Sequence, residues 1–167
     1  SALHAPAAPP FLLMHQSYTL SVQPAEGTIT TRSSVKIKYD GSQPQRNLTL
    51  YLSSICTVSG VTSDHGGLKW TRSPSLVPYF ANVGITFDRA IAPEEIFSVT
   101  LSYRIERIIK NTGLAAMNMS LGPDYVYLFE GWTPSLEPLL DQQGFVNSVQ
   151  KSSFSMEITV PPPFTAL

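Results

Sequence analysis

The chain has 167 residues, 43% hydrophobic and only 14% charged, enough for one domain with a buried core. Eleven Lys and Arg nearly balance twelve Asp and Glu, for a net charge of −1, which excludes the basic field that draws in nucleic acid or an anionic membrane. A single cysteine excludes an internal disulfide and a zinc site built on several thiolates, and no run approaches the ~20 apolar residues of a membrane span.

Residues 1–14 are rich in Ala and Pro. They read as a flexible linker, a stretch left behind a removed signal peptide, or a cloning remnant, with the ordered domain expected over 15–167. From there the dominant period is two. Tyr18, Leu20 and Val22 alternate with Thr19, Ser21 and Gln23 until Pro24 stops the run, the mark of a half-buried strand. Val35, Ile37 and Tyr39 share a face in the next strand, which ends at the turn residues Asp40-Gly41-Ser42. Leu48, Leu50 and Leu52 alternate next, followed by a short strand over Val58–Thr62 and a turn at His65-Gly66-Gly67 into Leu68-Lys69-Trp70. Ser73–Tyr79 holds two prolines and reads as a loop. Val83, Ile85 and Phe87 alternate again, and Ala92-Pro93-Glu94-Glu95 turns the chain into a long strand over Phe97–Ile109. Residues 110–122 carry no clear period. Tyr125–Phe129 reads as a strand, a proline-containing loop follows, and Phe154, Met156, Ile158 and Val160 alternate in the final strand.

No window shows helical periodicity, and fourteen prolines lie between the strands. The pattern predicts an all-β, mostly antiparallel sandwich with few or no helices. The low charge leaves neutral Ser, Thr and Gln for the surface, which leans the reading towards an extracytoplasmic setting, periplasmic or secreted, or a membrane-anchored parent.

Little in the chain carries chemistry. His4 lies in the linker, His15 precedes the first alternating strand, and His65 reads as an exposed turn residue; no paired-ligand spacing such as HExxH joins them. No GxSxG or phosphate-cradling loop occurs. Glu94 and Glu95 are adjacent, so on a strand they would face opposite ways, and they read as a solvated turn. Cys56 lies in an apolar run and reads as a buried, inert thiol. The triplets Asn47-Leu48-Thr49 and Asn118-Met119-Ser120 would matter only in a glycosylating compartment. The chain is therefore read as non-catalytic, with no cofactor or metal of its own.

In order, the segments Tyr18–Pro24, ITTRSSVKIKYD (Ile29–Asp40), NLTLYLSSICTVSGVT (Asn47–Thr62), ITFDRAIAPEEIFSVTLSYR (Ile85–Arg104) and FSMEITVPPPFTAL (Phe154–Leu167) resemble the N-terminal domain of the M1 zinc metallopeptidases, in a divergent bacterial form. The resemblance implies a saddle-like β-sandwich that packs on, and caps, a catalytic domain of the same longer polypeptide. The zinc motif HExxH-x18-E and the exopeptidase motif GxMEN would belong to that following domain, so zinc is expected only there, and a peptide substrate would be shared with it. The family's substrate-contacting Gln or Glu falls near Tyr127-Leu128-Phe129-Glu130-Gly131-Trp132-Thr133-Pro134, where Glu130 is the substrate-side candidate. No Gln stands there and the Ala-Arg segment that follows in the family is missing, which puts aminopeptidase specificity in doubt. Phe129, Trp132 and Pro134 are candidates for the interdomain surface. The alternative is a stand-alone extracytoplasmic protein- or carbohydrate-binding sandwich, for which Trp70 and Tyr79 could supply an aromatic platform.

Overall fold

The structure, a computed structural model, describes residues 10–76, 80–106, 119–121, 126–128, 132–137 and 152–163. Among the described residues ten strands are formed: β1 (Phe11–Gln23), β2 (Thr28–Tyr39), β3 (Gln45–Ser53), β4 (Cys56–Ser63), β5 (Leu68–Pro74), β6 (Phe80–Ile91), β7 (Ile96–Glu106), β8 (Met119–Leu121), β9 (Val126–Leu128) and β10 (Ser153–Thr159). No helix occurs among the described residues. The larger sheet has the order β10-β1-β2-β7-β4 and the second has the order β3-β6-β5, with β8 and β9 paired apart. Every pairing is antiparallel except that of β10 with β1, which is parallel. The all-β sandwich expected from the two-residue period is what forms.

The apolar half of each alternating strand meets the other sheet. Leu20, Ile29, Val35, Ile37, Val99, Leu101 and Ile105 face Leu48, Leu50, Leu52, Val83, Ile85 and Phe87 in a single buried cluster. Cys56 joins that cluster with no exposed surface, and burial pushes its thiol up to about 12.

The structure moves two expected boundaries. The first strand starts at Phe11, inside the stretch read as linker, and Phe11 is buried with its ring 5.1 Å from that of Tyr39. Alternation hides this because the register with β2 shifts between Leu13 and His15. Phe11 and Leu13 face the core before the bulge, and Tyr18, Leu20 and Val22 face it afterwards, so the parity changes within the strand. The stretch from Ser73 is not all loop either. β5 continues through Ser73 and Pro74, paired with Asn82 and Ala81 at the edge of the second sheet, where proline is tolerated.

Candidate functional site

Trp132–Glu137 fills the side of the sandwich next to β3. Tyr51 and Ser135 exchange two backbone hydrogen bonds, N–H to O, of 2.8 and 2.9 Å. The Tyr103 hydroxyl donates to the Trp132 carbonyl at 2.8 Å in a buried site. Gln16 Nε2 donates to the Pro134 carbonyl at 2.8 Å, and the Tyr18 hydroxyl donates back to Gln16 Oε1 at 2.5 Å. The Trp132 indole sits 5.2 Å from the Tyr18 ring. Burial pushes the Tyr18 phenol up to about 12 and the Tyr103 phenol well above the ordinary tyrosine range, so both remain neutral donors.

This geometry relocates two sequence candidates. Trp132 is 8% exposed and Pro134 is buried, both held by groups of this same domain, so neither offers an open surface to another one. Trp70, opposite Ile85 on β5, is half-buried against the core rather than standing out as a platform. Phe129, Glu130 and Tyr79 lie outside the described residues.

His65 is the clearest departure from the sequence reading. The expected exposed turn residue is 3% exposed, wedged against Phe87 at 5.0 Å and Phe97 at 5.4 Å between ring centres. Its Nδ1 lies 2.9 Å from Glu95 Oε1, and Arg89 Nη2 donates to the same oxygen at 2.7 Å. The Ala92 N–H donates to Glu95 Oε2 at 2.9 Å, and Arg89 Nε donates to the His65 carbonyl at 3.0 Å. The Arg89 guanidinium, helped by Ala92 and His65, holds the Glu95 carboxyl at about 2. Of the adjacent glutamates only Glu94 is a solvated turn residue, at φ 65° and ion-paired with Lys38. Glu95 folds back into the cluster. His65 is held through both ring nitrogens, Nδ1 beside Glu95 and Nε2 3.4 Å from the Arg89 carbonyl, and ties two turns together.

The terminal strand presents the other unexpected feature. Its alternation predicts one buried face, yet Phe154, Met156 and Ile158 are 69%, 42% and 40% exposed. They pair across to Gln16, Tyr18 and Leu20, so they point to the core side of the larger sheet. Among the described residues β10 overhangs the second layer: no strand of the second sheet packs closely on it, and the Trp132 segment lies over Tyr18 of the neighbouring β1.

The resemblance places zinc in a following domain, outside this chain. Among the described residues no group of three or more His, Cys, Asp or Glu could hold a metal ion.

No protein-family model matches the sequence, and no curated protein matches it significantly. Solved structures do match. The M1 zinc metallopeptidase from Deinococcus radiodurans superposes with a TM-score of 0.65 at 18% identity, over 92% of this chain and 33% of that one. The chain shares the fold of part of an M1 zinc metallopeptidase. A two-domain M1 zinc metallopeptidase bound to L-arginine gives a TM-score of 0.62 at 18% identity over 92% of this chain and 33% of its own. Leukotriene A4 hydrolase from Saccharomyces cerevisiae gives 0.56 at 18% identity over 98% and 27%. The chain thus spans about a third or less of the M1-like chains it matches. At such identity the likeness establishes the M1-like β-sandwich and not the activity.

Proposed function

We propose that this chain is the non-catalytic N-terminal domain of an M1-like zinc metallopeptidase, and that it packs against and caps a catalytic domain of the same polypeptide. The observation that carries this reading is the coverage of the structural match: nearly all of this chain corresponds to a third of a two-domain peptidase. The charged groups are consistent with it: among the described residues the buried histidine, His65, is engaged by Glu95 and the Arg89 carbonyl in a turn-to-turn tie. Within this reading Glu130 is the substrate-side residue, two positions ahead of the clamped Trp132, and the ligand it would meet is a peptide.

The test is hydrolysis of aminoacyl-anilide substrates by this chain and by the polypeptide encoded when its reading frame is followed past codon 167. This chain alone is expected to show no turnover, and the longer polypeptide is expected to carry HExxH and to lose its activity to a chelator. Turnover by this chain alone would overturn the non-catalytic assignment. A reading frame without the zinc motif would overturn the peptidase assignment.

A further inference from the structure

We infer that the overhanging apolar row Phe154–Met156–Ile158 is the seat of the second domain, an inference that rests on the peptidase-domain reading above. The row runs about 13 Å along β10 at two-residue spacing. The opposite face of the same strand is Ser153, Ser155, Glu157 and Thr159. A strand written with one apolar and one polar face is written for burial on one side, yet all seven residues of β10 are exposed.

The strand edge points the same way. Among the described residues β10 pairs only with β1, so its outer edge is open. Edges that stay exposed are usually blunted by lysine, proline or a bulge. Over Ser153–Thr159 there is no Lys and no Pro, and the pairing with β1 runs without a register shift. An unprotected apolar edge is a hazard for a domain living alone and ordinary for one that is permanently covered.

The occupant that fits is a domain of the same polypeptide. The two-domain peptidase that matches 92% of this chain has about two thirds of its own length outside the match. A covalently attached neighbour also covers the row at high effective concentration without a free, soluble partner. The row is apolar and nearly uncharged, with Glu157 on the far face, so the matching surface is expected to be apolar.

Thiol labelling tests this, because the native Cys56 is fully buried with its thiol pushed up to about 12 and stays silent. Met156→Cys on the apolar face and Glu157→Cys on the polar face are compared by maleimide labelling. In this chain alone both are expected to label fast. In the longer polypeptide Met156→Cys is expected to slow by roughly tenfold or more, the protection given by a stable docked state, while Glu157→Cys is unchanged. Equal rates for both in a longer polypeptide that hydrolyses peptides would overturn the docking face and leave the peptidase reading standing. Slow Met156→Cys in a longer polypeptide without hydrolysis would do the reverse. Slow labelling already in this chain overturns the inference too: if independent of concentration, the chain covers its own row, and if concentration-dependent, a second copy does. A reading frame with no further domain overturns both proposals.

Discussion

His65 Nδ1 lies 2.9 Å from Glu95 Oε1, and this contact joins the turn between β4 and β5 to the turn between β6 and β7. It closes one end of the sandwich. The imidazole fills the space beside Phe87 and Phe97, so the tie is both polar and packed. Its behaviour with pH follows from Glu95.

The Glu95 carboxyl is held at about 2 in the folded chain, below its ordinary 4.5, chiefly by Arg89. A depressed acid contributes stability that is fully present above its unfolded value and lost as pH falls through its folded value. Glu95→Gln should therefore lower the denaturation midpoint at neutral pH, and the gap to the wild type should close between about pH 4.5 and 2. Urea titrations of both proteins across that range measure it. A gap that stays constant would contradict the role given to Glu95.

The Tyr103 hydroxyl reaches the Trp132 carbonyl inside the core. Tyr103→Phe removes the donor and leaves a buried carbonyl unsatisfied, which should cost about 1–3 kcal/mol. Tryptophan fluorescence should move as well, since the clamp sets the packing of Trp132 on Tyr18. Denaturant unfolding followed by fluorescence reads both, and an unchanged midpoint would show the clamp to be energetically idle.

Leu50 is wholly buried on β3, facing the larger sheet. Leu50→Ala should destabilise the domain by about 2–5 kcal/mol, from lost burial and the cavity left behind. Phe154→Ala, on the overhang, should change the stability of this chain far less, because Phe154 is mostly exposed. Parallel urea melts compare the two.

Cys56 should not react with a thiol reagent in the native chain and should titrate as one thiol in denaturant. An Ellman assay with and without guanidinium decides it. Reaction under native conditions would mean that the β3–β4 corner opens.

Strand content was legible in the chain because burial on one side of a pleat leaves a period of two, as in Leu48-Leu50-Leu52 and Val83-Ile85-Phe87. Where a bulge shifts that parity, as after Leu13, the signal breaks and Phe11 passes for linker. The period in Phe154-Met156-Ile158 was just as legible, yet it records a pattern and not what covers the face. Its exposure follows from the order of strands in the sheet and the extent of the second layer.

The residues of this chain by themselves determined an all-β sandwich and a buried cysteine, because strand alternation and the apolar run around Cys56 are local properties. Tertiary structure alone decided that His65 is buried against Glu95, that Trp132 and Pro134 lie inside the domain, and that an apolar strand overhangs its edge. Each of these depends on a partner distant in the chain: 30 residues separate His65 from Glu95, and 138 separate His15 from Ser153 on the paired terminal strand. Local periodicity says which side of a strand is apolar, and only the assembled layers say what stands opposite it.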